Sequence, residues 1–197
     1  MQTITQKITK VRLGENLALD TPAVLALATD VPLPSDAPAR IKTLRADGKK
    51  WYMTVGYLPD SNQPFVIFCH TNHKEKTAPI EDAVEKLIEL ARVYGILEEY
   101  IVNLEEKIQN DSNVNKLTRT ISLLLRHQVD MARIVRTLDQ AENVFAGSFL
   151  FQIKKFLSQH IKEGEAVEGE ACSVCKGVLV FSEGCMMCKD CGTSKCS

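Results

Sequence analysis

Of the seven cysteines in this 197-residue chain, six fall in the last 26 positions: Cys172, Cys175, Cys185, Cys188, Cys191 and Cys196. Four of them form two knuckles, Cys172-Ser-Val-Cys175-Lys-Gly and Cys188-Lys-Asp-Cys191-Gly. Two residues between thiolates let both sulfurs reach one ion, and the glycine that follows tolerates the positive φ such a turn requires. Residues 178–181 and 185–187 flank Ser182-Glu183-Gly184, a hairpin in outline. Two knuckles joined by a hairpin predict a zinc ribbon over residues 171–197, with four thiolates around one Zn²⁺. So short a segment cannot bury an adequate apolar core, so the metal must supply the folding energy.

Four ligands leave two cysteines over, and the spacing admits two partitions. If Cys172, Cys175, Cys188 and Cys191 bind the metal, Cys185 and Cys196 are the remaining pair. If the ligands are Cys172, Cys175, Cys185 and Cys188, the pair is Cys191 and Cys196. The glycine pattern of the knuckles favours the first. Under either, Cys196 is a penultimate thiol beside Lys195, which would lower its pKa modestly.

Before the tail, the hydrophobic period changes from two to helical. Residues 40–45 alternate apolar with basic, Ala46-Asp47-Gly48 signals a turn, and Trp51, Met53 and Val55 share one face of a second strand. Residues 65–69 form a continuous apolar run suited to a third, buried strand. From Ile80 onward, apolar stripes mark five helices: Ile80/Val84/Leu87/Ile88/Ala91, Leu97/Ile101/Leu104/Ile108, a stripe from Val114 to Leu125 capped by Asp111 or Ser112, Met131/Ile134/Val135/Leu138, and 148–161. Strands first and helices afterwards predict an α+β fold, a small antiparallel sheet covered by a helical bundle and followed by the tethered ribbon. The expected division is an extension over 1–37, the α+β domain over 38–161, an acidic flexible linker over 162–170 and the ribbon over 171–197. The linker follows from K-E-G-E-A-V-E-G-E, which offers almost no apolar surface to bury.

Twenty-four Lys and Arg against 25 Asp and Glu leave a net charge of −1, which removes the usual electrostatic reason for unspecific nucleic-acid binding. No apolar run reaches the ~18–20 residues of a membrane span, and residues 1–20 lack the apolar block of a signal peptide, so a cytoplasmic protein without membrane contact is expected. The helix over 97–108 carries a stripe that could pair with a second copy. Cys69, His70 and His73 are a weaker candidate for a second metal, and His127 and His160 suit the negative ends of helices.

The tail resembles the carboxy-terminal end of adenosylcobalamin-dependent (class II) ribonucleotide reductases, sharing Glu183-Gly184-Cys185, the second knuckle and Gly192-Thr-Ser-Lys-Cys196. The body is similar to the TSCPD domain that precedes that ribbon, through residues 50–57, 64–69, 117–126 and 129–138. The likeness spans about residues 38–196 and departs at Ala146-Gly147-Ser148-Phe149, at His127-Gln128 and in the Glu-rich segment 98–110. It implies an accessory component of a vitamin B12-dependent reductase, too small to hold the catalytic barrel or to be catalytic alone. Cobalamin would then act only through a partner chain. Cys196, with Cys185 (or Cys191 under the second partition), would form a redox dithiol that re-reduces the active-site disulfide of the catalytic chain and is recharged by a thioredoxin-type reductant. Two rival expectations are a zinc-ribbon regulatory protein that grips nucleic acid or a polymerase, and a freestanding interaction module. The tail's few basic residues (Lys176, Lys189 and Lys195) and its single aromatic, Phe181, disfavour the nucleic-acid version.

Overall fold

The computed structural model describes residues 36–59, 61, 63–72, 77, 79–182 and 185–195. Most of the expected 1–37 extension therefore lies outside the described residues. Three antiparallel strands, β1 (Ala39–Ala46), β2 (Lys49–Tyr57) and β3 (Pro64–His70), form a sheet in chain order. The β1–β2 turn is built on Asp47 and Gly48 with φ of 49° and 71°, the pair of positive angles that a tight hairpin demands. Val55 sits opposite Ile67 and Met53 opposite Cys69. Trp51, Met53, Val55, Ile67 and Cys69 are accordingly buried together on one face. The other face carries Ile41, Tyr52, Thr54, Phe68 and His70, none of them buried.

Five helices follow: α1 (Glu81–Val93), α2 (Glu98–Ile108), α3 (Asn113–Arg126), α4 (Met131–Asp139) and α5 (Phe149–Ser158). Side-chain oxygens cap three of them, Ser112 on Asn115, Asp130 on Ala132 and Ser148 on Phe151, satisfying amides that a first turn leaves open. Trp51 packs on Phe149 of α5 with ring centroids 4.8 Å apart, and its indole N–H donates to the Ala46 carbonyl. Helix α3 lies along the edge of the sheet: the Ile67 amide of β3 donates to Ser122 Oγ at 3.0 Å, and that hydroxyl donates to the Thr118 carbonyl at 2.7 Å. A strand edge that would otherwise need a partner is thereby closed by a helix. Lys154 of α5 and Asp139 of α4 form an ion pair shielded from water. The α2 stripe faces inward, with Ile101, Leu104 and Ile108 buried in the same core and only Leu97 left exposed at its cap.

The tail forms a second sheet, four-stranded, of β4 (Ala166–Ala171), β5 (Val178–Ser182), β6 (Cys185–Cys188) and β7 (Ser194–Lys195). This corrects the expected flexible linker over 162–170, whose second half is strand β4. Its polar composition is offset by pairing: Ala166 sits opposite Val180 and Ala171 opposite Val178. Gly164 N–H donates to the Phe181 carbonyl, and Phe181 N–H donates to that of Glu165. Val167, the one large apolar residue there, is buried. Together with Leu179, Phe181 and Met186 it joins the buried cluster that runs through the sheet and helices. Among the described residues no helix is long and apolar enough to cross a membrane.

Candidate metal centre

The two knuckles are built alike. In the first, between β4 and β5, Cys172 N–H donates to the Gly177 carbonyl and Lys176 N–H to that of Cys172. In the second, after β6, Cys188 N–H donates to the Thr193 carbonyl and Gly192 N–H to that of Cys188. Each pair of bonds closes a loop that aims two sulfurs at a common point. The positive φ that the sequence assigns to a glycine falls on Gly192 (70°) in the second knuckle but on Lys176 (62°) in the first. Gly177 is needed for space instead, because a Cβ there would stand 1.9 Å from an Asp190 carboxylate oxygen. Lys189 N–H donates to the Val178 carbonyl, which ties the second knuckle to β5.

The sulfurs of Cys172, Cys175, Cys188 and Cys191 lie within 4.8 Å of one another. Cys172 and Cys191 are 3.6 Å apart, and Cys175 and Cys188 3.4 Å. Zinc–sulfur bonds of ~2.3 Å would set the sulfurs of a regular tetrahedron ~3.8 Å apart, so the quartet fits one zinc ion once its separations adjust by up to about 1 Å. Cys172 and Cys188 are buried while Cys175 and Cys191 face solvent, giving the centre a shielded side and an open rim.

The surroundings favour ionised sulfur at Cys191 and Cys172. The hydroxyl and backbone amide of Thr193 bring the Cys191 thiol down to about 6, and the sulfur lies 3.1 Å from Thr193 Oγ1. Backbone amides of Cys175 and Val174 lower Cys172. At Cys175 the Gly177 amide pulls down, but the adjoining sulfurs of Cys188 and Cys191 outweigh it and push the thiol up to about 12. Four thiolates this close repel one another, so their joint ionisation calls for a cation in their midst. Thr193 is a participant that ligand spacing alone does not reveal; its position two residues after the last knuckle cysteine is the available signal.

Cys185 stands outside the quartet. It begins β6, about 10 Å of extended chain before Cys188, and it is disulfide-bonded, whereas the other five described cysteines are free thiols. Cys196 lies outside the described residues. The weaker candidate does not assemble: Cys69 is buried on the core face, where burial raises its thiol to about 12, while His70 on the opposite face stacks on Tyr52. His73 lies outside the described residues. Among the described residues no second group of three or more metal-ligating side chains comes together. His127 caps the end of α3, and the His160 ring nitrogen meets the Phe156 carbonyl after α5, positions in keeping with helix-end roles.

Searches against protein families, curated proteins and solved structures return no match to this chain.

Proposed function

We propose that the chain is a zinc-ribbon accessory component of a cobalamin-dependent ribonucleotide reductase system, with Cys185 and Cys196 as its exchangeable thiol pair. The observation that carries this reading is the division of labour among the tail cysteines: four free sulfurs converge, and Cys185, outside them, is oxidised.

The chemistry is thiol–disulfide exchange. A Cys185 or Cys196 thiolate attacks the disulfide of a partner catalytic chain, forming a mixed disulfide and releasing one partner thiolate. The second tail thiolate then attacks the mixed disulfide. The partner regains two thiols, with two electrons and two protons transferred, and the tail becomes the Cys185–Cys196 disulfide. A thioredoxin-type dithiol reverses the tail's oxidation. Zinc takes no electrons; it holds the ribbon in shape and keeps its four ligands out of the exchange. Strand β4 anchors the ribbon, so delivery proceeds by docking of the ribbon edge on the partner rather than by a swinging tether. Phe181 is buried, which leaves the ribbon without an exposed aromatic among the described residues and weighs against a nucleic-acid grip there.

The deciding test pairs the chain with the catalytic reductase chain of the same cell, captured under reducing conditions. Cys196→Ser should abolish multiple turnover with a protein reductant and spare a single turnover. Unchanged multiple turnover would remove the redox assignment.

A further inference from the structure

We infer that the face of the three-stranded sheet that no other described element covers is a docking platform for single-stranded nucleic acid. Helices and β3's inward residues account for one face; the other presents three cross-strand rows. Ile41, Thr54 and Phe68 make the first and Thr43, Tyr52 and His70 the second, with Arg45 and Lys50 paired at the end. Tyr52 and His70 are already stacked, their ring centroids 5.3 Å apart and their planes within 19°, and the Lys50 ammonium lies 5.0 Å from the Tyr52 ring centre. Phe68 is 52% exposed in the adjoining row. Stacked rings beside a cation form a surface on which any base can lie, because every base offers a π-face.

Charge selects the occupant. Although the whole chain is nearly neutral, the inner positions of this face, from Ile41 to Arg45, Lys50 to Thr54 and Val66 to His70, include no carboxylate, and its ionisable members are Arg45, Lys50 and His70. The face continues past Val66 and Phe68 into a cleft of about 390 Å³ between β3, α2 and α3. Lys107, Arg119 and Arg126 line that cleft with Tyr100, and again no acidic side chain does. Arg119 is held by Asp111 at 2.7 Å, which leaves Lys107 and Arg126 as the cleft's principal phosphate contacts. An aromatic centre with cations at both ends matches a chain of bases on a phosphate backbone. The surface is separate from the metal centre and needs no part of the tail chemistry.

The test is fluorescence anisotropy of a labelled oligothymidylate of about 12 nucleotides against the full-length, zinc-loaded chain in about 50 mM salt. Binding should weaken with salt along a log–log slope of about −2 to −3, as for three or four phosphates at ~0.7 each. Phe68→Ala should weaken binding about tenfold, and Lys50→Gln should reduce the slope by about 0.7. A duplex of equal length should bind at least about tenfold more weakly. Ultraviolet cross-links to a bromouridine-containing strand should map to β2 and β3 peptides, a readout that requires no variant. The inference is overturned by absent binding, by equal affinity for duplex, by insensitivity to Phe68→Ala, or by a loss that follows Lys176→Gln and Lys189→Gln in the ribbon instead. A dimer in solution that covers Phe68 would overturn it as well.

Discussion

Replacing Ser122 with alanine isolates the contact that fastens α3 to the sheet. Ser122 is 6% exposed, and Ile67, whose amide it receives, is fully buried. The substitution deletes a hydrogen bond worth about 1 kcal/mol net and strands a backbone N–H that water cannot reach, a penalty of about 1–3 kcal/mol. Alanine's better helix propensity returns at most about 0.5 kcal/mol. The expected net loss is about 1.5–3.5 kcal/mol. In urea, with a slope of about 2 kcal/mol per molar, the midpoint should fall by about 0.8–1.8 M. The assay is intrinsic fluorescence with zinc held in excess, since the one tryptophan of the chain, Trp51, is fully buried against α5. Ser158→Ala is the internal control: Ser158 is equally buried and also bonds the carbonyl four residues back, that of Lys154, but its hydroxyl accepts from no strand. A Ser122→Ala midpoint matching that of Ser158→Ala would refute the claim that this hydroxyl closes the sheet edge.

Cys188→Ser should reduce bound zinc from one ion per chain to none by elemental analysis and should abolish the thiolate-to-metal absorption of a cobalt-substituted sample, because structural sites of this kind need all four ligands. Asp139→Ala should cost about 3–5 kcal/mol by stranding the buried Lys154 ammonium, whereas Lys154→Met together with Asp139→Leu should be near neutral; chemical denaturation of both separates pairing from packing. His160 is held below its ordinary pKa by burial first, and by Lys42 and Arg40 as well. Its folded form therefore resists protonation, and stability should fall as pH drops from about 7 through the unfolded histidine value near 6.5. His160→Gln should flatten that part of the profile, read as urea midpoints of the two proteins at matched pH.

The body was legible because its signals are local. Alternation of Trp51, Met53 and Val55 marks a buried strand face, Asp47-Gly48 marks the hairpin, and the stripes of α1 to α4 recur at helical spacing; Ser112 proves to be the α3 cap rather than Asp111. The quartet was legible for the same reason, since two residues between cysteines restrict where the sulfurs can point. What escaped depends on partners distant in the chain. Strand β4 has one large apolar residue, Val167, and takes its form from β5, which no composition rule for residues 162–170 could supply. Ser122 sits mid-helix, and nothing around it marks Ile67, 55 residues earlier, as its donor. Period-two spacing does separate Tyr52 and Phe68 from the core residues, but which sheet face the helices take is decided by where α1 to α5 settle.

Val167, Leu179, Phe181 and Met186 continue the buried cluster of the body, while a cleft lined by Asp130, Arg133 and Arg136 on one side and by Glu165, Val167 and Phe181 on the other runs where the ribbon meets α4. An ion leaving the cysteine quartet would loosen those four side chains first and open that cleft, so a shortage of zinc would present Val167 and Phe181 to proteases before it reached the three-stranded sheet.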